Sequence, residues 1–178
     1  MKANLINEGV KYGVICGLTA VLIMYGSWAV DINTFTSVMF ASTFIPYMII
    51  ILLVGGFAVR KLNGGYLNFQ EGLKFNFLSY AVAAVIIAVA TYILYNVIDE
   101  TLTEKSAQVG LEKTRAMMEK FGASEEDIEK TMVSSAESMK KTGLKEILMG
   151  TGLGLIWDFV KSLLLTLVIR KEETFEDQ

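Results

Sequence analysis

The sequence predicts an all-α integral membrane protein: a four-helix bundle with an extramembrane helical hairpin between the third and fourth spans. Hydrophobic residues make up 53% of the 178 residues, and the mean hydropathy is +0.46. Charged residues are gathered between long apolar runs, and one long polar stretch separates the last two runs. With one cysteine, no histidine and a net charge of −3, the composition excludes a disordered chain, a disulfide-framed secreted domain and a basic nucleic-acid-binding protein.

Three uncharged runs in residues 1–98 are long enough to span a membrane. A helix needs about 20 apolar residues to cross a hydrocarbon core of roughly 30 Å. The runs predict transmembrane helices at about 12–30, 35–59 and 75–98. Pro46 lies near the middle of the second helix, where the missing N–H and the ring predict a kink.

The fourth predicted span, 147–169, is the weakest because Asp158 and Lys161 interrupt it. Taken as one helix, it leaves residues 170–178 as a tail and places both chain termini on the same side. Short segments at the predicted cytoplasmic side carry seven basic residues, and the turn at Asp31 carries none. We therefore expect cytoplasmic termini. The seven basic residues are Lys2, Lys11, Arg60, Lys61, Lys74, Arg170 and Lys171.

Residues 99–146 predict an outward-facing polar hairpin of two helices. Gly122 can end the first helix, and Ser124 followed by acidic residues is typical of a helix N-terminus. Apolar residues recur at spacings of three and four on both helices. They form either a thin hairpin core, which we favour, or an adaptable partner-binding face. The candidate face consists of Met117, Met118, Phe121, Ile128, Met132 and Met139.

Small residues mark candidate helix-packing positions in the membrane. Gly9, Gly13 and Gly17 recur at steps of four in the first span, and Gly150 and Gly154 do so in the fourth. Such residues let helix backbones approach closely in lipid. We favour packing within one protomer over a homo-oligomeric interface, which the same pattern also serves.

Asp158 and Lys161 are the most unusual residues in the sequence. Counted from residue 147, Asp158 lies about 16 Å into the fourth span, where a charge costs about 2.5 to 3.5 kcal/mol on insertion scales. Their spacing of three permits an ion pair within the helix. One interpretation is an ion, proton or polar-headgroup site. The alternatives are a neutralised structural pair, or a shifted span in which Lys161 reaches the interface.

The other motifs indicate no chemistry. The loop 60–74 contains a Gly64-Gly65 turn and aromatic residues suited to the headgroup zone, which predicts a connector rather than a ligand loop. Without histidine, a cysteine cluster or a phosphate-binding glycine loop, the sequence predicts no catalytic residue, no metal and no cofactor. We therefore do not expect an enzyme.

The order of these features resembles an uncharacterised family. The features are the Gly-Gly-Tyr-x-x-Phe-x-Glu-Gly-x-Lys loop at 64–74, Ile98-Asp99 after span three, the acidic corner at 124–129 and a final span containing glycines. The family comprises small four-span inner-membrane proteins of certain Gram-negative bacteria, catalogued as a domain of unknown function. The resemblance implies the topology and a bacterial inner-membrane location, and it transfers no catalytic residue. Glu100 replaces the proline common there, and the Asp158/Lys161 pair is not a feature of that family.

Two functions are compatible with the sequence. We favour a non-catalytic accessory or scaffold subunit that holds another envelope protein. The alternative is a small oligomeric transport or lipid-handling protein, in which Asp158, Lys161 and the Pro46 bend line a polar path. Expected partners are membrane lipids with either a membrane or periplasmic protein or further copies of the chain, and no nucleic acid.

Overall fold

The computed structural model describes residues 4–42, 46–138 and 142–172, and these residues are almost entirely helical. The predicted all-α class is confirmed. The π-helical segment Leu94–Ile98 follows α4, and among the described residues β-pairing is limited to one isolated bridge. The helices are α1 (Leu5–Val30), α2 (Ile32–Ser42), α3 (Tyr47–Leu62), α4 (Phe69–Ile93), α5 (Leu102–Lys120), α6 (Glu125–Ser138) and α7 (Leu144–Ile169).

Three helical segments within the described chain are long and apolar enough to cross a membrane. They are Leu5–Val30, Phe69–Ile98 and Leu144–Ile169, and the number rises to four if α2 and α3 together form one span. The fourth predicted span is therefore an unbroken helix despite its two charges. The second predicted span corresponds to α2 and α3, and residues 43–45 between them lie outside the described part of the chain.

Pro46 occupies the N-cap position of α3, and among the described residues α2 ends at Ser42. The predicted kink falls on the turn before Pro46, which includes residues 43–45 and lies outside the described residues. Proline lacks an N–H, and its ring clashes with the preceding turn. The start of a helix tolerates the missing donor, because the first N–H groups have no partner within the helix.

The chain divides into two compact units. Unit 1 comprises the described residues within 1–22, 45–90 and 148–178, and unit 2 comprises those within 23–44 and 91–147. Unit 1 contains α3 and most of α1, α4 and α7. Unit 2 contains α2, α5, α6 and the π-helical segment.

Glycines hold α1 directly against α4 in unit 1. A Cβ atom built on Gly13 would lie 2.7 Å from the Ser79 carbonyl oxygen. Gly9 and Gly17 make similarly close approaches to Leu78 and Ile86, so these three predicted packing residues lie at one helix contact. The Ser79 hydroxyl also donates a 3.0 Å hydrogen bond to the Gly9 carbonyl. Since residue numbers rise together along the contact, α1 and α4 run parallel.

Because α1 and α4 run parallel, a segment between them in the sequence must run in the opposite direction. Within unit 1 that segment is α3. Gly56, near the end of α3, and Gly72, near the start of α4, both lie against Ile169 at the end of α7. Tyr12 lies against Gly55, so the first turns of α1 and the last turn of α7 meet neighbouring residues of α3. The N-terminal and C-terminal helices therefore have their outer ends at the same end of unit 1.

The predicted hairpin of unit 2 is present and also contacts α2. Gly122 ends α5 with a φ of +77°, a conformation that favours glycine. The Ser124 hydroxyl accepts the Asp127 N–H at 3.2 Å, so it caps α6 as predicted. Lys113 of α5 donates a 2.7 Å hydrogen bond to Ser37 of α2.

Asp99 joins three parts of unit 2 at the end of the π-helical segment. Its carboxylate accepts hydrogen bonds from the Thr101 hydroxyl at 2.7 Å, the Lys105 ammonium at 3.1 Å and the Trp28 indole at 3.3 Å. These bonds hold the pKa of Asp99 below its ordinary value, with the Thr101 bond the largest cause. The carboxylate thus favours its charged form, and ionised Asp99 stabilises unit 2.

Enlarging Gly13 should separate α1 from α4. We expect Gly13→Ala to lower the free energy of unfolding by about 1–3 kcal/mol, because the added methyl must displace backbone. The measurement is the midpoint of thermal unfolding in mild detergent. Gly26→Ala is the matched control, since a Cβ on Gly26 meets no atom of the described residues within 4 Å. Equal midpoints for the two variants would contradict this packing.

Stability should depend on Asp99 ionisation. Because its folded pKa is lowered, the stabilisation is complete above the unfolded pKa of about 3.9 and is lost as the pH falls through the folded value. We expect Asp99→Asn to cost roughly 1 kcal/mol at pH 7. The difference from wild type should shrink below about pH 4. Thermal unfolding from pH 3 to 7 measures this, and a constant difference across that range would refute it.

Candidate functional site

The two charged residues of α7 form an ion pair beside α4. Lys161 Nζ lies 2.6 Å from Asp158 Oδ1 and 4.7 Å from the centre of the Tyr80 ring. The Asp158 side chain is 16% exposed and that of Lys161 is 38% exposed. Lys161 thus combines an ion pair along its own helix with a cation–π contact to α4.

A cavity of about 350 Å³ adjoins this pair within unit 1. Its volume falls at the small end of the range of about 300–1,000 Å³ that is usual for small-molecule sites. One end is polar and the remaining wall is mostly apolar. The lining consists of Met48 from α3, then Tyr80, Ala83, Ala84 and Ile87 from α4, then Gly150, Thr151, Gly154, Asp158 and Lys161 from α7.

Glycines on α7 leave the cavity open. A Cβ built on Gly150 or Gly154 meets no atom within 4 Å among the described residues. The open space at Gly150 and Gly154 differs from the predicted packing within one protomer, because no helix of the described chain packs directly against these two glycines. Gly152 is equally open but does not line the cavity.

A tyrosine that lines the cavity has a buried hydroxyl group. Tyr80 is 1% exposed, and its Oη atom has no hydrogen-bond partner in the part of the chain that the structure describes. Leaving a buried polar group unsatisfied costs about 1–3 kcal/mol, so such groups usually have water or a ligand as a partner. The Oη atom is also closed to solvent, so the cavity does not reach it and this hydroxyl belongs to the packed interior of unit 1.

A row of buried polar residues continues from the pair along the contact between α4 and α7. Asn76 Nδ2 donates to Thr166 Oγ1 at 3.1 Å, and Thr166 donates to the Ser162 carbonyl at 2.6 Å. Ser162 in turn donates to the Asp158 carbonyl at 2.7 Å. Asn76 Oδ1, one helical turn from Tyr80, is buried and has no partner among the described atoms. The bond from Asn76 to Thr166 joins α4 to α7, whereas the other two bonds lie within α7.

This arrangement can bind a polar group without exposing a net charge. The ion pair is neutral overall, which limits the cost of placing two charges in an apolar surrounding. Lys161 retains N–H donors beyond the one that faces Asp158. The site therefore offers both a cationic and an anionic partner beside an apolar wall.

The other predicted residues lie away from the cavity. Pro46 is not among the residues that line it, although Met48 two positions later is. The candidate partner face is divided: Ile128 is buried, Met118 and Met132 are half-buried, and Met117 and Phe121 are exposed. Met139 lies outside the described residues.

The side chains that complete the site were not singled out from the sequence. Tyr80 and Asn76 lie in the predicted third span, which also contains Tyr95 and Asn96 of unit 2. Ser162 and Thr166 follow Asp158 at steps of four, a helical repeat that could have indicated a polar face. Only packing against α4 distinguishes that face from isolated hydroxyl groups in a membrane helix.

The loop between α3 and α4 is held against the end of α7. The backbone of Leu67 exchanges hydrogen bonds of 2.8 and 2.9 Å with Lys171. Asn68 and Glu71 cap the start of α4 reciprocally, and Lys171 lies 5.2 Å from the centre of the Tyr66 ring. These contacts agree with a connector. A solvent-open depression of about 540 Å³ lies beside it.

Comparison with known proteins assigns the chain to a protein family by its sequence. Among the described residues, no three histidine, cysteine, aspartate or glutamate side chains are close enough to hold a metal ion. No curated protein and no solved structure matches the chain significantly. A family model described as "Protein of unknown function (DUF4199)" matches residues 11–171. The chain, an apolar helical membrane protein, therefore belongs to the DUF4199 family of proteins of unknown function.

Proposed function

We propose that this protein is a small, non-catalytic transport or lipid-handling protein that binds a polar or amphiphilic molecule in the cavity between α4 and α7. One observation carries the proposal. The cavity places the Asp158–Lys161 pair beside an apolar wall and beside open glycine positions of α7. A ligand would use the charges of the pair, whereas a purely structural ion pair needs no cavity beside it.

The position of the pair along its helix supports this proposal. Asp158 lies about 21 Å from the start of α7 and about 17 Å from its end, at a rise of 1.5 Å per residue. Charges so far inside a membrane helix are rare, and they commonly mark substrate or ion pathways. The partial exposure of Lys161 leaves the ammonium accessible from the cavity.

The proposed location is the inner membrane of a bacterium, with several spans and both termini in the cytoplasm. The basic residues support this orientation: the loop after α3 and the chain ends carry them, whereas the turn at Asp31 carries none. The common end of α1 and α7 in unit 1 is compatible with termini on one side. Further copies of the chain are proposed partners, since Gly150 and Gly154 are uncovered.

Filling the cavity should displace a bound molecule. We expect Gly154→Leu to lower the amount of co-purified small molecule by roughly tenfold or more, a loss of about 1.4 kcal/mol in binding free energy. A Cβ at Gly154 has no atom of the described residues within 4 Å, so the added side chain begins in open space. The measurement is native mass spectrometry of protein purified in mild detergent from its own membranes, with analysis of the extracted ligand.

Gly152→Leu is the matched control. It adds the same side chain two residues away, at an equally open position outside the cavity. It should retain the molecule at the wild-type level, and both variants should elute and unfold as wild type does. Equal retention in Gly154→Leu would rule out the cavity as the binding site.

The role of accessory subunit is a second proposal, and the exposed apolar residues of the hairpin favour it. Phe121 is 81% exposed and Met117 is 57% exposed in a segment otherwise rich in charge. Exposed aromatic and methionine side chains are enriched at protein interfaces. On this proposal the hairpin holds another membrane or envelope protein.

Polar substitutions should separate the two proposals. If the hairpin docks a partner, Met117→Ser with Phe121→Ser should reduce a defined cross-linked complex about tenfold or more. Val133→Ser should leave it intact, since Val133 is similarly exposed but lies outside the candidate face. The measurement is quantitative cross-linking in intact membranes. A complex that survives the double substitution would exclude the hairpin as its contact.

A further inference from the structure

We infer that the occupant of the cavity is a zwitterionic amphiphile, with an ammonium group and a phosphate or carboxylate in one head group. This inference rests on the proposed function and names the chemical class of its ligand. The inference depends on the opposite charges of Asp158 and Lys161, on the exposure of their side chains, and on the apolar residues that line the rest of the cavity.

Charge balance favours a zwitterion over an ion. Asp158 and Lys161 already neutralise each other, so an anionic or cationic ligand would introduce an uncompensated charge among apolar helices. A zwitterion adds no net charge. Its anionic group can contact Lys161 while its ammonium contacts Asp158, so that every charge keeps an opposite neighbour.

The hydrogen-bond donors at the cavity define where the anionic group sits. Lys161 is the more exposed member of the pair, and its ammonium retains N–H donors beyond the one that faces Asp158. A phosphate or carboxylate oxygen accepts from an ammonium, and charge-assisted bonds of this type are the stronger ones.

The remaining lining favours an amphiphile over a fully water-soluble zwitterion. Met48, Ala83, Ala84 and Ile87 present an apolar wall without hydrogen-bonding side chains. A volume of about 350 Å³ is smaller than a whole phospholipid and suits a head group with the first part of its chain. The rest of the chain would lie among the exposed apolar residues of α7 that flank the cavity face, such as Leu153 and Trp157.

The test uses the full chain in vesicles that contain equal amounts of phosphatidylethanolamine, phosphatidylcholine and phosphatidylglycerol. After extraction in mild detergent, native mass spectrometry identifies the retained lipid. We expect wild type to retain the two zwitterionic lipids roughly tenfold over anionic phosphatidylglycerol, relative to the bulk. A preference for phosphatidylglycerol, or no preference, would overturn the inference without needing any variant.

Removing one charge should change the class of lipid retained. Asp158→Asn leaves Lys161 uncompensated, so we expect the preference to shift towards phosphatidylglycerol, with enrichment of the zwitterionic lipids falling roughly tenfold. The double variant Asp158→Asn with Lys161→Met should retain lipid without regard to charge. An unchanged lipid preference in Asp158→Asn would show that the ion pair does not determine which head group is bound.

Two further measurements distinguish a bound lipid from a bound soluble zwitterion and test whether the lipid occupies the cavity. Soluble phosphoethanolamine should fail to compete with the lipid, and efficient competition would identify a free zwitterion as the ligand and overturn the amphiphile. Gly154→Leu should remove the retained lipid and Gly152→Leu should not. If Gly154→Leu removes a molecule of another charge class, the proposed cavity function holds and the zwitterion inference fails. If it removes nothing, the proposed function itself fails.

Discussion

The close approach of α1 to α4 is the contact on which the arrangement of unit 1 depends. Gly9, Gly13 and Gly17 bring the two backbones together, and Ser79 adds a hydrogen bond across the contact. In lipid there is no hydrophobic force between helices, so packing of small residues and polar bonds must supply the attraction. Because the two helices run parallel, α3 must return between them. The remaining face of α4 is then available to α7.

That second face of α4 carries the polar chemistry of unit 1. Asn76 and Tyr80 lie one turn apart and meet the row formed by Asp158, Ser162 and Thr166 on α7. Towards the end of α7, Ser162 and Thr166 are hydrogen-bonded. At Asp158 the row borders the cavity, because the lining residues Gly150 and Gly154 of α7 and Ala83 and Ala84 of α4 are small. The same two helices therefore supply both a rigid contact and a space beside it.

Local sequence determined much of the hairpin and of the helix ends. Ser124 caps α6, Gly122 ends α5 and Pro46 begins α3, each for a reason that depends on the backbone of a few residues. The lengths of the apolar runs likewise predicted the helices that can span a membrane. Pro46 lies at the start of α3, where its missing N–H removes no hydrogen bond within the helix.

The sequence by itself determined the helical membrane class, the turn positions and the ion pair, because these follow from apolar length, backbone preference and a spacing of three on one helix. Only the tertiary structure decided that α1 packs on α4 while Gly150 and Gly154 remain open, since both sets of glycines share the same spacing. It also brought Tyr80, 78 positions before Asp158 in the chain, to the cavity beside the pair. Contacts between distant helices depend on how their faces are rotated against one another, and no local pattern specifies that rotation.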